Sequence, residues 1–170
     1  MTQPIADITI RRATLDDAEA LQRIFDQPRA LWGTLQVPYA SAEQRRKRLA
    51  ELDNSAYPLV AVVAGEVIGQ LTLHINARSP RRSHSGSLGM AVRDDYHGRG
   101  VGTALMVACL DLADNWLNLH RVDLDVYVDN EPALRLYKKF GFVIEGRLVD
   151  YAFRDGEYVD VYIMARLRGK

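Results

Sequence analysis

Residues 94–116 read DDYHGRGVGTALMVACLDLADNW, and they place Gly98, Gly100 and Gly102 at alternate positions directly before a long apolar-periodic segment. Glycine inside a helix costs roughly 1 kcal/mol relative to alanine. A helix N-terminus, however, exposes unpaired N–H groups and a partial positive charge, and it binds anions where no Cβ atom blocks the backbone. A plain turn would need one or two glycines. The stretch therefore favours a phosphate-binding loop over a turn.

The spacing of these glycines disfavours two common nucleotide-binding loops. No Gly-Lys-Ser or Gly-Lys-Thr follows, so the Walker pattern is absent. The dinucleotide fingerprint is G-x-G-x-x-G after an early strand, whereas this loop is G-x-G-x-G and lies past the middle of the chain. A nicotinamide cofactor is therefore not expected.

The composition is typical of a globular protein without a dedicated nucleic-acid or membrane surface. The chain has 170 residues, 22 basic and 22 acidic, for a formal net charge of zero. This length predicts a single domain over residues 1–170. Cys109 stands alone, so it cannot form an internal disulfide and is interpreted as a small buried apolar residue. Neither a signal-peptide pattern nor an apolar run near the ~18 residues of a membrane span is present, which predicts a cytoplasmic location. No metal is expected.

Apolar alternation predicts strands, and apolar spacing near 3.6 residues predicts helices. Strands are expected at 7–13, 58–64, 67–75, 87–92 and 121–128, and a final hairpin at 142–167 that turns at Asp155-Gly156. Helices are expected near 15–25, 42–52, 101–118 and 131–140, and an ordered loop at 27–40. This order predicts an α/β (α+β) fold with a mixed, mostly antiparallel central sheet of about six to seven strands, flanked by four helices.

Two segments carry a resemblance to a known family. VRDDYHGRGVGTALM, residues 92–106, resembles motif A of the GNAT acetyltransferases, Q/R-x-x-G-x-G/A after a strand ending in valine. NEPALRLYKKFGF, residues 130–142, resembles that family's second signature, N-x-x-A-x-x-L-Y-x-x-x-G-F. The two stand in the family's order, and the predicted elements match its fold from about residue 8 to 167. His97 departs from the family's Gln or Arg.

The resemblance implies acetyl-CoA as co-substrate. Its pyrophosphate would lie on the backbone N–H groups from His97 to Thr103, and its pantetheine arm along the strand that ends in Met90-Ala91-Val92. Asn130 matches a family asparagine that hydrogen-bonds the cofactor arm, and it equally suits a helix N-cap. The implied cofactor-binding residues are Ala91, Val92, His97, Gly98, Arg99, Gly100, Gly102, Thr103 and Asn130.

Two residues are implied as catalytic. Tyr137 matches the family tyrosine that offers its hydroxyl to the departing thiol, and the alternative is a core tyrosine on the apolar face of its helix. Asp125 stands five residues before Asn130, where many relatives carry Glu as a general base. Asp123 shares its strand face, and a solvated face is the alternative for both carboxylates.

Acid–base magnitudes mildly favour an α-amine as the acceptor. At pH 7 an α-amine with a pKa of ~8 costs roughly 1.4 kcal/mol to deprotonate, whereas a lysine amine near 10.4 costs about 4.6 kcal/mol. The carboxylate of a free amino acid would require an arginine fork, for which Arg81, Arg82 and Arg29 are candidates, with a solvated loop as the alternative. Trp32, Leu35 and Tyr39 could wall an apolar side-chain pocket, and the equal alternative is packing in the core or within the loop.

The residues TLQVP (34–38), PRRSH (80–84) and YAFRDGEYVDVYIMAR (151–166) most resemble small bacterial enzymes that acetylate free L-amino acids. We therefore expect an acetyl-CoA-dependent N-acetyltransferase of small α-amines that works by direct attack on the thioester. The alternatives are acetylation of a protein N-terminus or of a polyamine, and a catalytically silent acyl-CoA sensor. The basic residues at 78–82 disfavour polyamines, and Tyr137 disfavours the sensor. A homodimer, common in this family, would use the strand-rich C-terminus.

Overall fold

The computed structural model describes residues 7–169. Its strands are β1 (Thr9–Arg12), β2 (Ala56–Val63), β3 (Glu66–Ile75), β4 (Ser85–Val92), β5 (Arg121–Tyr127), β6 (Val143–Arg154) and β7 (Glu157–Leu167). Its α-helices are α1 (Ala18–Phe25), α2 (Pro28–Gly33), α3 (Ala42–Ala50), α4 (Val101–Asp111) and α5 (Glu131–Lys139). Short 3-10 turns occupy Leu15–Asp17, Pro80–Arg82 and Asp94–Tyr96, and a π-helical turn, Leu112–Trp116, follows α4.

The strands form one mixed sheet in the order β1-β2-β3-β4-β5-β7-β6. The pairs β1–β2, β5–β7 and β6–β7 are antiparallel, and β4–β5 is parallel. The parallel register joins Ser85–Ser87 to Arg121–Asp123, and both strands continue beyond it. The predicted α/β class and the mostly antiparallel sheet are confirmed, with seven strands.

The final hairpin turns where the sequence predicts. Arg154 pairs with Glu157, and the two residues between them, Asp155 and Gly156, have φ values of +51° and +85°. Positive φ at both central positions is the geometry of a type I′ turn, which Asp-Gly favours because its twist matches that of the flanking strands.

The expectation of four helices is wrong, because α2 lies inside the segment 27–40 that was expected to be a loop. Pro28 suits a first helical turn, but the decisive contacts come from far along the chain. The Asp94 carboxylate accepts the Arg29 backbone N–H at 3.3 Å, and the Asp94 N–H donates to the Gln27 side-chain oxygen at 2.6 Å. The helix expected at 101–118 is also divided, since α4 ends at Asp111 and gives way to the π-helical turn.

The chain contains two compact units. Among the described residues, the first comprises 7–73 and 90–110, and the second comprises 74–89 and 111–169. A buried cluster in the first unit includes Leu21, Ile24, Phe25, Ala30, Val60, Val67 and Ala91. Buried apolar residues of the second unit include Leu119, Val122, Leu124, Leu134, Phe142, Val161 and Met164. Cys109 is fully buried, as predicted. The single domain over residues 1–170 stays a prediction.

Two further findings concern the part of the chain from residue 7 to residue 169. None of the helices there combines the length and the apolar character that crossing a membrane requires. No group of three or more His, Cys, Asp or Glu side chains there is arranged to hold a metal ion.

Candidate functional site

Residues 98–100, here called the glycine loop, run directly into the N-terminus of α4. Gly98 and Gly100 have φ values of +72° and +91°, a region that side-chain-bearing residues rarely adopt. The first helical hydrogen bond runs from the Ala104 N–H to the Gly100 carbonyl at 2.9 Å. The backbone N–H groups of residues 101–103 therefore have no carbonyl acceptor within the helix. Gly102 lies in the first turn of α4, so only two of the three glycines stand before the helix.

His97 ties this loop to the end of β4. Its ring atom Nε2 lies 2.9 Å from the Val92 carbonyl oxygen, and since a carbonyl can only accept, Nε2 is the donor. Its backbone N–H donates to the Asp94 carbonyl at 3.3 Å. His97 stands where the family has Gln or Arg. Its side chain therefore links the glycine loop to the end of β4.

Arg99 places a positive charge in the glycine loop. Its guanidinium lies 4.8 Å from the centre of the Tyr96 ring, and the Arg93 guanidinium lies 4.5 Å from the same ring. Arg93 also forms ion pairs with Glu66 at 3.0 Å and with Asp95 at 2.7 Å. The Arg93 charge is thus balanced by the carboxylates of Glu66 and Asp95. The Tyr96 ring contacts both the Arg93 and the Arg99 guanidinium groups.

Gly69 of β3 allows α4 to approach the sheet closely. A Cβ atom on Gly69 would lie 3.0 Å from Val101 Cγ1, 3.2 Å from Leu105 Cδ1 and 3.4 Å from the Ala91 carbonyl oxygen. A Cβ on Gly100 would meet no protein atom within 4 Å. Gly69 is therefore a packing residue that sets the position of α4, whereas Gly100 borders open space. Sequence reasoning missed Gly69, although a glycine inside a strand often marks close approach.

Tyr137 lies on α5 in the second unit and is only 6% exposed. Its ring contacts Phe142, with the ring centres 5.9 Å apart. Burial raises the pKa of Tyr137 to about 12. The phenol therefore stays protonated at neutral pH and can act only as a hydrogen-bond donor or acceptor. Both readings from the sequence, a packed tyrosine and a proton donor, are compatible with this position.

Asn130 forms the N-cap of α5. Its side-chain oxygen accepts the Ala133 N–H at 3.3 Å, which satisfies one of the donors that a helix N-terminus exposes. The capping role expected for Asn130 is confirmed, and its contact with the cofactor stays a prediction.

The two acidic residues of β5 have different partners. Asp123 accepts the Arg121 Nε–H at 3.1 Å, and Arg121 also pairs with Glu145 at 2.6 Å. Asp125 is exposed, and its Oδ2 accepts the hydroxyl of Tyr151 at 3.0 Å. Partial burial and the neighbouring Asp125 carboxylate raise the pKa of Tyr151, so the phenol remains the donor. Asp123 is therefore part of an ion-pair network, whereas the partner of Asp125 is the neutral hydroxyl of Tyr151.

The residues expected to bind substrate are exposed. In the first unit, Arg29 lies on α2. Trp32 lies near the C-terminal end of this helix and is 47% exposed, and Leu35 lies just beyond the helix and is 64% exposed. This exposure excludes the core alternative for Trp32 and Leu35. Arg81 and Arg82 lie in the 3-10 turn of the second unit and are also exposed.

An open cleft of about 630 Å³ in the first unit contains none of the expected site residues. Its lining is charged, but Arg11 pairs with Asp17 at 2.8 Å, and Arg93 pairs with Glu66 and Asp95. The lining holds three arginines and five carboxylates, and two of the arginines are already paired, so we assign no ligand to the cleft.

Comparison with known proteins identifies the family. The sequence model of the Acetyltransferase (GNAT) family matches residues 19–142. The L-amino acid N-acetyltransferase AaaT of Escherichia coli (strain K12) is 44% identical over 164 residues, 96% of this chain and 100% of AaaT. The chain belongs to the GNAT acetyltransferase family. This GNAT chain is also 36% identical to an N-alpha-acetyltransferase of Sulfurisphaera tokodaii over 113 residues, 62% of the chain and 66% of that protein.

A solved structure shares the fold of this GNAT enzyme. The spermidine N-acetyltransferase from Vibrio cholerae, crystallised in complex with CoA and spermine, superimposes with a TM-score of 0.85 at 28% identity, covering 96% of both chains. Family membership makes the chain an N-acetyltransferase, and the GNAT family uses acetyl-CoA. The enzyme reading of the sequence is thus confirmed, and the silent sensor is not favoured.

Proposed function

We propose that this GNAT enzyme transfers the acetyl group of acetyl-CoA to the α-amine of a free L-amino acid. The 44% identity to an L-amino acid N-acetyltransferase over all of that protein carries the proposal. The N-alpha-acetyltransferases that this chain matches are less similar, at 36% identity over 62% of this chain or 30% identity over 94% of it, and the polyamine enzyme is 28% identical. The exposed basic turn at Arg81 and Arg82 would also repel a polyamine. The homodimer and the cytoplasmic location remain predictions.

Acetyl-CoA is held by its pyrophosphate at the N-terminus of α4. The N–H groups of Val101, Gly102 and Thr103 donate to it, and the Arg99 guanidinium adds positive charge. A Cβ at Gly100 would meet no protein atom within 4 Å, so the backbone there is open to the phosphate oxygens. The pantetheine arm pairs with the backbone of Ala91 and Val92 as an added strand, and Asn130 contacts the arm through its amide.

The reaction begins when the neutral α-amine attacks the thioester carbonyl carbon and forms a tetrahedral intermediate. Collapse of the intermediate, with loss of one proton from its nitrogen to solvent, forms the amide and breaks the C–S bond, so CoA departs as a thiolate. Tyr137 donates its hydroxyl to the departing sulfur. With a phenol pKa of about 12 and a thiol pKa of ~8.5, full proton transfer is uphill by roughly 5 kcal/mol. Tyr137 therefore stabilises the thiolate by a hydrogen bond, and solvent supplies its proton.

Asp125 accepts the proton that the amine must lose. Its Oδ2 is occupied by Tyr151, which leaves Oδ1 for the amine or an intervening water molecule. Freeing an α-amine at pH 7 costs only about 1.4 kcal/mol. A weak base is therefore sufficient for this substrate class.

The rest of the amino acid is recognised by charge and by apolar surface. Arg81 or Arg82 forms charge-assisted hydrogen bonds to the substrate carboxylate, and Arg29 is the alternative. The exposed side chains of Trp32 and Leu35 contact an apolar substrate side chain.

The proposal is tested by measuring CoA release from acetyl-CoA with a panel of amines. The panel contains the L-amino acids, their carboxamides, short peptides and spermidine. We expect turnover with an L-amino acid and at least tenfold lower kcat/KM with its carboxamide, which lacks the carboxylate charge. Turnover with peptides or spermidine but with no amino acid would overturn the proposed substrate class, and acetyl-CoA binding without turnover on any amine would indicate a sensor.

A further inference from the structure

Strand β6 contains a large bulge near its middle. Leu148 pairs with Val161, and Ala152 pairs with Val159. Residues 149–151 of β6 therefore oppose the single residue Asp160 of β7, two residues more than a regular ladder would hold. Within the bulge, Asp150 has a φ of +51°, in the left-handed region. Bulges occur often beside active sites, where they redirect a side chain.

Asp160 fixes the shape of this bulge through both of its carboxylate oxygens. Oδ1 accepts the Asp150 backbone N–H at 2.8 Å, and Oδ2 accepts the Arg147 Nε–H at 2.6 Å. The hydrogen bond from Asp150 and the Arg147 charge lower the pKa of Asp160, so the carboxylate stays ionised well below neutral pH. The left-handed conformation at Asp150 is thus held by a specific acceptor.

The bulge directs Tyr151 to a residue two strands away. The sheet order places β7 between β5 and β6, and Asp125 of β5 pairs with Ile163 of β7. The Tyr151 hydroxyl nevertheless reaches across β7 to Asp125 Oδ2, at 3.0 Å. The nearby acid Asp123 is bound by Arg121 instead. The bulge therefore brings a neutral donor to the one β5 carboxylate to which we assign chemistry.

We propose that Tyr151 is a positioning residue for Asp125, held in place by the bulge that Asp160 closes. This inference rests on the role assigned above to Asp125. An exposed aspartate otherwise samples several rotamers, and a hydrogen bond to Oδ2 selects one and presents Oδ1 to the amine. Because Tyr151 remains protonated, it donates without competing for the substrate proton.

A double-mutant cycle on the full-length enzyme tests the inference. Asp125→Asn is expected to lower kcat/KM for the amino acid at least tenfold, and Tyr151→Phe about three- to tenfold, mainly through kcat. The double variant should be no slower than Asp125→Asn, because Tyr151 acts only through Asp125. Acetyl-CoA affinity should stay unchanged in all three. Tyr158→Phe is the matched control, since Tyr158 lies on the same hairpin, is 68% exposed and contacts Phe153.

A second variant addresses the bulge itself. Asp160→Ala removes both hydrogen bonds that close it and should reproduce the loss seen with Tyr151→Phe, with little further loss when the two are combined. Independent, multiplying effects of Tyr151→Phe and Asp125→Asn would overturn the inference, as would unchanged kcat with Tyr151→Phe. If the enzyme acetylates another amine and no amino acid, the proposed substrate is wrong, and the same cycle measured with that amine still decides the role of Tyr151.

Discussion

The ring of His97 and the carbonyl oxygen of Val92 are joined by a 2.9 Å hydrogen bond. Val92 is the last residue of β4, and His97 immediately precedes the glycine loop. We propose that both segments hold acetyl-CoA, the strand through the pantetheine arm and the loop through the pyrophosphate. The histidine therefore fixes the distance between two parts of the cofactor-binding backbone.

Replacing His97 should weaken acetyl-CoA binding modestly. His97→Ala removes one neutral hydrogen bond, worth about 1 kcal/mol, so we expect roughly fivefold weaker affinity by calorimetric titration. His97→Gln carries an amide donor that can reach the same carbonyl and should bind within about twofold of the wild type. Equal losses in the two variants would show that the histidine acts by something other than donation to Val92.

Tyr137→Phe should lower kcat at least tenfold while changing acetyl-CoA affinity little. The hydroxyl is proposed to stabilise the departing thiolate, which exists only as the C–S bond breaks, whereas the ring packs on Phe142 in both proteins. Steady-state kinetics and titration on the same preparation provide the check. Wild-type kcat in the variant would reduce Tyr137 to a packing residue.

The Arg11–Asp17 pair should make the stability of the enzyme sensitive to acid. Asp17 is 7% exposed at its side chain and accepts two 2.8 Å hydrogen bonds from Arg11 and one of 2.7 Å from the Thr14 N–H. The hydrogen bonds from Arg11, the largest cause, hold the pKa of Asp17 below its ordinary value. A carboxylate with a lowered folded-state pKa contributes its full stability above the unfolded pKa of ~3.9, and the contribution is lost as pH falls through the folded value.

We therefore expect Asp17→Asn to lower the free energy of unfolding by about 2 kcal/mol at pH 7 and much less once the pH falls below the lowered folded-state pKa of Asp17. Urea unfolding at several pH values measures this difference. Glu43→Gln, an exposed first-turn position of α3, is the control and should change stability little. A pH-independent loss in Asp17→Asn would contradict the assigned cause.

The sequence predicts the cofactor-binding part of the site because its determinants are local. Alternating glycines before an apolar helix, and an Asn-Glu-Pro start before the helix of Tyr137, can each be read within about fifteen residues. The hairpin turn at Asp155-Gly156 is equally local. These elements lie where they were expected.

The missed features depend on residues far apart in the chain. Helix α2 is held by Asp94, 65 positions beyond Arg29. The contact of Tyr151 with Asp125 depends on a bulge closed by Asp160, and no local pattern marks three residues opposite one. The importance of Gly69 appears only when α4 is packed against β3. Periodicity and turn chemistry carry no information on such contacts.

Gly69→Ala should destabilise the first unit and weaken acetyl-CoA binding together. The added methyl group would lie 3.0 Å from Val101 Cγ1 and 3.2 Å from Leu105 Cδ1, so these α4 side chains must give way by a few tenths of an ångström, and overpacking of this kind costs about 1–3 kcal/mol. Thermal unfolding and acetyl-CoA titration measure the two effects. Gly146→Ala is the control, because its Cβ meets no atom within 4 Å. Unchanged stability in Gly69→Ala would show that the helix does not depend on this close approach.

The central claim, that the glycine loop holds the pyrophosphate of acetyl-CoA, is tested most directly by titrating acetyl-CoA into folded Gly100→Val. The control is Gly156→Val. It imposes a similar backbone strain, because φ is +85° at Gly156 and +91° at Gly100. The new Cβ at position 156 likewise meets no protein atom within 4 Å. A side chain at position 100 would occupy the space of the phosphate, and losing several charge-assisted N–H contacts of about 1.5–3 kcal/mol each should weaken binding at least a hundredfold. Both variants should lose stability, and only Gly100→Val should lose binding. Wild-type affinity in folded Gly100→Val would contradict the account.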